Sequence, residues 1–352
     1  MKNNSWKFLQ NKTLVVKIIL GFVALVVLFI IGFTVWLFRP IKEVPPCELF
    51  PSSAFSFFFL NLNQSNTGLS EIMAKAKDEV LNTKMGFAKK TLFKIAFPSV
   101  IPKSLVGVLS LAEDSDEPDL VFIVSMGKIV RLIKIFGGSF DTIVFQGAPS
   151  QKKRELRHNF KSLAPATEKR GPSAYTIVGN NLVIGTSLPS VKDAYRSHIE
   201  WAIEHPAKAK EDARRRYLAE MLRQASMQRD ASLYVDNNDS ALSKIFKTVE
   251  EKFAFAAFPS IDAVATIKGE VRILTEEVTG NITFYCRESE MLRDVKSDVK
   301  FIYGALKRKL RASDIDMKGN VQIEGNTVEF DFQIPDFMDS IFSNITSEQG
   351  DT

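Results

Sequence analysis

The sequence predicts an α+β protein: one N-terminal transmembrane helix, then a duplicated, largely antiparallel sheet-plus-helix domain exported across the bilayer. Three observations predict it. An uncharged apolar run, Ile18 to Phe38, lies near the N-terminus. Downstream, apolar segments of period two joined by tight turns mix with amphipathic segments of period 3.6. Three short sequence echoes recur in the same order in the two halves of the remaining chain.

The apolar run reads IILGFVALVVLFIIGFTVWLF. As a helix it is about 32 Å long, against a hydrocarbon core of roughly 30 Å. Ile18, Leu20, Phe22, Leu25, Phe29, Phe33, Trp36 and Phe38 are the anchor residues, with Trp36 at headgroup level. Lys2, Lys7, Lys12 and Lys17 precede the run with no acid among them, whereas Arg39 and Lys42 follow it in company with Glu43 and Glu48. The excess of cations before the run makes 1–17 a cytoplasmic tail, 18–38 the span and 39–52 a juxtamembrane linker on the far side. A cleaved signal peptide competes with this reading, but its apolar region is about 7–15 residues long and ends at small residues. Here the run is longer and Arg39-Pro40 close it.

Of 352 residues, 45% are hydrophobic and 25% charged, a globular balance with ample chain for a core. The net charge of +5 owes much to the tail lysines, so the exported part is near neutral and nothing in it demands nucleic acid. Phe is abundant, 28 residues against 3 Trp and 6 Tyr, which points to a Phe-packed core or to an apolar groove. Cys47 and Cys286 lack CxxC spacing, which excludes a zinc ribbon and a thioredoxin-type site; in an oxidising space the two could pair.

The first repeat occupies 53–204. A nearly continuous apolar strand at 54–62 suits a sheet centre. A helix at 67–90 follows, then strands at 104–112 and 119–126 around an acidic turn. A short helix at 128–136, a strand near 140–146, a polar loop and a hairpin at 174–186 come next, and a helix from Pro189 closes the repeat. His205-Pro206 breaks the chain, and 205–228 is a basic linking helix. The second repeat, 229–346, opens with a strand at 231–236. A helix capped by Asp239 follows, with Leu242, Ile245, Phe246, Val249 and Phe253 on one face. Strands at 262–268, 271–277 and 280–286 precede a long helix at 288–311 bearing Leu292, Val295, Val299, Ile302, Leu306 and Leu310. A final hairpin and helix complete the repeat, and 347–352 is a polar, disordered tail.

The echoes support this division. Gly179-Asn180 with Pro189 and Asp193 returns as Gly325-Asn326 with Pro335 and Asp339 at equal spacing. Ala96-Phe97-Pro98-Ser99-Val100 returns as Ala257-Phe258-Pro259-Ser260-Ile261, and Ser53 to Phe57 is echoed by Ala231 to Val235.

No residue set carries a recognisable chemistry. The carboxylates of 113–119 contain Pro118 and no Gly, unlike a calcium loop, and read as a solvated hairpin tip. His158, in a basic loop, and His198 and His205 have no paired metal spacing. There is no GxSxG elbow, Walker loop or dinucleotide pattern. The reading therefore assigns no catalytic, cofactor-binding or metal residues and no cofactor. Three basic runs stand out: Lys152-Lys153-Arg154, Arg214-Arg215-Arg216 and Lys307-Arg308-Lys309. Such runs are usually solvated faces; here they are also candidate contacts to anionic headgroups or an acidic partner.

The segment Ala174 to Thr186, with Pro189 to Ala194, is similar to one in a family of uncharacterised bacterial envelope proteins, classed as a domain of unknown function. Its members have a short cytoplasmic tail, one membrane helix and a repetitive α+β exported region. The resemblance implies a plasma (inner) membrane location with a periplasmic or extracellular C-terminal domain, and no catalytic residues. The function expected is a non-enzymatic scaffold or interaction protein of the cell envelope, with the lipid bilayer and an envelope protein as partners and no nucleic acid. One alternative is a protein that binds a lipid or other apolar ligand at the membrane surface. Another is an enzyme with a dispersed site.

Overall fold

A computed structural model describes residues 39–62, 102–111, 118–127, 130–135, 150–163, 172–203, 213–228, 230–237, 240–243, 258–274 and 276–337, with Leu28, Ser70, Ala74, Asp141 and Phe145 besides. The chain divides into Met1–Lys42 and Glu43–Thr352, and the sheet belongs wholly to the second unit. Its strands are β1 (Ala54–Asn61), β2 (Ser104–Ser110), β3 (Asp119–Ser125), β4 (Ser150–Glu155), β5 (His158–Leu163), β6 (Ala174–Val178), β7 (Asn181–Gly185), β8 (Ala231–Asp236), β9 (Val264–Ile273), β10 (Glu277–Cys286), β11 (Lys318–Glu324) and β12 (Thr327–Pro335). They form one 12-stranded sheet in the order β11-β12-β10-β9-β8-β1-β2-β3-β7-β6-β5-β4. Every neighbouring pair is antiparallel. The helices are α1 (Val130–Ile135), α2 (Leu188–Ile203), α3 (Ala213–Gln228) and α4 (Leu292–Arg311). The chain is thus α+β, built on a large antiparallel sheet.

The apolar character of β1 explains its central place, with β2 and β8 on its two sides. Its Phe57 and Phe59 join Val106, Val108, Val121, Ile123 and Tyr234 on one face, under Val191 and Ala194 of α2 and Leu218 and Leu222 of α3. Phe57 stacks on Tyr234, ring centroids 5.8 to 5.9 Å from both Phe50 and Tyr234. Side chains alternate along a strand, so Val235 points the other way from Tyr234. There it joins Ile267, Phe284, Val328 and Phe330 beneath Leu292, Val295 and Val299 of α4. A bulge between Ala54 and Ser56 turns Phe55 to that side too. A smaller cluster of Tyr175, Leu182, Ile133 and Phe145 packs α1 against β6 and β7.

Outward from the β1–β8 pair, the strand order reads β2, β3, β7, β6 on one side and β9, β10, β12, β11 on the other; β5 and β4 extend only the first. In both directions the second strand outward, β3 or β10, leads into a helix, α1 or α4; a hairpin whose turn holds a Gly-Asn pair follows, directly after α4 and beyond the β4–β5 hairpin after α1. Gly179 and Gly325 have φ of 58° and 57°, the left-handed region that a two-residue hairpin turn requires. The N–H of Met126, just past β3, donates to the Asn180 carbonyl at 3.0 Å. That of Cys286, ending β10, donates to the Asn326 carbonyl at 3.4 Å.

Several expectations need correction. The strands expected at 262–268 and 271–277 are one strand, β9, and the turn lies at Leu274, whose N–H donates to the Glu277 carbonyl. The polar loop before 174 is a hairpin, β4–β5. In the stretch expected as a strand near 140–146, Asp141 is helical and accepts from the Phe145 N–H at 2.9 Å. Leu306 of α4 is 41% exposed and leaves the expected stripe, although Ile302, Tyr303 and Leu310 on either side of it pack against the core. The helix at 67–90 lies outside the described residues apart from Ser70 and Ala74, both helical. Asp239, the acidic loop 113–117, His205, the closing helix beyond Phe337 and the tail also lie outside them. Among the described residues no helix is long and apolar enough to cross a membrane. Of the run 18–38 only Leu28 is described, so the other anchor residues lie outside as well.

Candidate functional site

The site begins with the segment that follows the apolar run. Pro45 and Pro46 lack backbone donors, so Glu43–Phe50 cannot join a ladder and instead makes a short 3-10 turn over Pro46–Leu49. Val44, Leu49 and Phe50 are buried in the core cluster, which ties this strap down along its length. Its backbone is held by the β6–β7 turn. The Val44 N–H donates to Asn180 Oδ1 at 2.9 Å, and Asn181 Nδ2 donates to the Val44 carbonyl at 2.7 Å. Asn181 is itself fixed by Ser125, whose hydroxyl donates to Oδ1 at 2.7 Å. Farther along, Glu48 meets His198 of α2 at 3.0 Å. Ser52 donates through both N–H and hydroxyl to Asp193 at 2.9 and 3.0 Å.

α2 starts where it does because Ser187 caps it: the Ser190 N–H donates to the Ser187 hydroxyl at 3.2 Å. At its far end Trp201 lies under the guanidinium of Arg215 of α3, 5.4 Å from ring centroid to Cζ. Arg215 also donates to the Glu48 carbonyl at 3.4 Å and lies 3.9 Å from Glu200. Strap, α2 and α3 are thus locked to one another.

Between strap, α3 and the sheet opens a cleft of about 1030 Å³. Val44, Pro45, Pro46 and Cys47 form one wall, Ala219, Leu222 and Trp201 another, and Phe59 with Ser104, Ser125 and Asn180 line the sheet side. Ligand pockets run about 300–1,000 Å³ and are mostly apolar with a few polar groups. Charge lies among the lining groups: Glu43, Lys103, Arg216, Glu220 and Arg223. Glu43 and Lys103 approach to 3.7 Å, both well exposed, a weak pair. Arg223 grips Glu220 with two bonds of 2.9 and 2.7 Å, and Gln224 adds a third at 3.0 Å. These bonds hold the Glu220 carboxyl down at about 2. Burial, then the Glu48 carboxylate beside it, pushes the Cys47 thiol up.

The basic runs do not converge. Lys152, Lys153 and Arg154 are on β4, at one edge of the sheet order, whereas Lys307, Arg308 and Lys309 end α4, which packs on β11 and β12 at the other. In the third run the residues have different roles. Arg214 pairs with Asp236 at 2.9 Å, Arg215 is buried over Trp201, and only Arg216 faces the cleft. The two described histidines are both engaged: His198 meets Glu48, and His158, the first residue of β5 and not part of a loop, stacks on Tyr195 at 4.1 Å while bonding Thr176 at 2.8 Å. A second polar knot joins Asp141 to the Tyr175 hydroxyl and to Lys161 at 2.7 Å. Burial, then the Asp141 carboxylate, pushes the Tyr175 hydroxyl up. Both cysteines are free. Among the described residues no three His, Cys, Asp or Glu side chains gather as a metal site.

Sequence reasoning named an apolar groove as one use of the abundant Phe but missed the cleft's walls and the roles of Asn181 and Trp201. The one available signal was the Asn-Asn pair of the hairpin turn, where a turn needs only one.

No family model matches the chain, and no curated protein matches it. Among solved structures, crystal form III of TP0453 is similar over 87% of this chain and 99% of that one, at 9% identity and a TM-score of 0.44. Crystal form I of TP0453 covers 87% and 98% at 10% identity and 0.42. These values lie below the range in which a shared fold or activity follows.

Proposed function

We propose that the chain is a single-pass membrane protein whose exported domain binds an acyl-chain ligand in the cleft beside the strap. The observation that carries this reading is the cleft's construction: one wall is the chain segment that follows the apolar run 18–38. Arg39 to Glu43 alone separate that run from Val44, and fully extended they span about 17 Å. A short stretch of chain therefore tethers the cleft wall to the apolar run. Each methylene buried in the cleft contributes about 0.8 kcal/mol.

In this proposal residues 1–17 are cytoplasmic, the anchor is in the plasma membrane and the α+β domain lies outside, as the resemblance to uncharacterised envelope proteins implies. The domain arose by duplication. The mirrored strand order supports it, as does the central register: in the echo Ser56 matches Tyr234 and Phe57 matches Val235, and the pairs Ser56–Val235 and Phe57–Tyr234 exchange under that match. We propose no catalysis, cofactor or nucleic-acid role.

An envelope scaffold is the second reading. Its support is the pair of edge strands, β4 and β11, each with one neighbour among the described strands and so open to strand addition. β4 carries Lys152, Lys153 and Arg154, which guard an edge, and β11 exposes Ile323.

The test is photo-crosslinking of the full chain in liposomes doped with a diazirine-bearing palmitate, followed by peptide mapping. Adducts on Phe59, Ala219 or Leu222 are expected. Adducts confined to 18–38 would contradict the reading.

A further inference from the structure

We infer that the ligand of this cleft carries an anionic head, a carboxylate or a phosphate, and that Arg216 binds it; this rests on the acyl-chain reading above. Three cations line the cleft, Lys103, Arg216 and Arg223. Two are already engaged: Lys103 stands 3.7 Å from Glu43, and Arg223 is forked onto Glu220. Arg216 makes no hydrogen bond or ion pair among the described residues. It is one of three consecutive arginines, and its neighbours Arg214 and Arg215 are each committed to the fold.

The helix period sets this arrangement. Arg216, Glu220 and Arg223 follow one another at i, i+4 and i+7 and so share one face of α3. Glu220 stands between the two arginines but is bound toward Arg223, with Gln224 taking a further share. Arg216, an exposed residue, is left with its planar donor fork in the cleft lining. A guanidinium fork matches carboxylate and phosphate oxygens in pairs. Among the apolar groups that line the cleft, Val44, Phe59 and Leu222 suit a hydrocarbon tail. Fork and wall together define an amphiphile, with its charge at Arg216 and its chain along the strap.

The test uses the full chain in neutral liposomes and the diazirine palmitate label, with competition by palmitate, palmitoyl lysophosphatidate and hexadecanol. The acids are expected to displace the label at about tenfold lower concentration than the alcohol, the margin of one charge-assisted bond. The more potent of the two acids identifies the head as carboxylate or phosphate. Arg216→Gln brings the ratio of acid to alcohol close to one, and Arg216→Lys, which keeps the charge but loses the fork, gives an intermediate ratio. Equal competition by hexadecanol on the native chain, or an unchanged ratio in Arg216→Gln, overturns the head-group assignment while the cleft reading stands. Absence of cleft labelling overturns both.

Discussion

Asn181 Nδ2 donates to the carbonyl oxygen of Val44 at 2.7 Å, joining residues 137 apart in sequence inside the core. The same side chain accepts the Ser125 hydroxyl, so one amide fixes strap, hairpin turn and β3 together. Asn181→Ala leaves both partners buried and unpaired, which costs about 2–4 kcal/mol. Urea unfolding of the full chain in detergent should show that loss, and Asn326→Ala, at the corresponding turn of the second half, should cost less because it holds only the Cys286 carbonyl.

The two faces of aromatic usage separate by position. Phe57 is 2% exposed and packed on both Phe50 and Tyr234, so Phe57→Ala should cost about 3–5 kcal/mol. Phe301 of α4 is 54% exposed, and Phe301→Ala should stay within about 0.5 kcal/mol. Thermal unfolding of the two variants compares them directly.

Acid should loosen the Glu220–Arg223 clasp late. Because the folded-state carboxyl titrates at about 2 instead of its ordinary 4.5, its contribution is complete above 4.5 and is lost as pH falls toward 2. The clasp is solvent-exposed, so its effect on stability is small. By carboxyl-carbon NMR, Glu220 should remain ionised at about pH 3.5. In Arg223→Ala its midpoint should move up toward 4.5.

Cys47 and Cys286 are separate thiols, so the intact protein should show no disulfide under non-reducing conditions. Burial raises the Cys47 thiol, which lowers its thiolate fraction at neutral pH. Maleimide should therefore label it more slowly than a free peptide thiol, faster as pH rises, and more slowly again with palmitate in the cleft that Cys47 lines.

Strand alternation made most of the sheet legible, and the apolar run of β1 announced its central place. Glycine misled the reading of β9 and β10. Gly269 and Gly280 look like turn residues but sit mid-strand, where a neighbour packs close. A Cβ on Gly280 would come within 2.6 Å of Phe332 Cε1 and 2.9 Å of the Glu270 carbonyl oxygen. β4, SQKKRE, has no apolar alternation because it is an edge strand, and its pairing with β5 left no hydrophobic trace. The basic run 214–216 was visible, but its division into two structural arginines and one facing the cleft was not. That division depends on Trp201, Asp236 and the strap, which only folding brings to α3. The walls of the cleft were hidden for the same reason, since they come from 43–47, 59 and 61, 103 and 104, 125, 180, 201 and residues between 216 and 223.

Native mass spectrometry of the full chain released from detergent micelles tests the cleft most directly. The account predicts one adduct with the mass of an acyl lipid, present on the native chain and absent from Ala219→Trp, whose indole fills the wall beside Leu222. A bare chain in both, or an adduct that Ala219→Trp leaves in place, would contradict it.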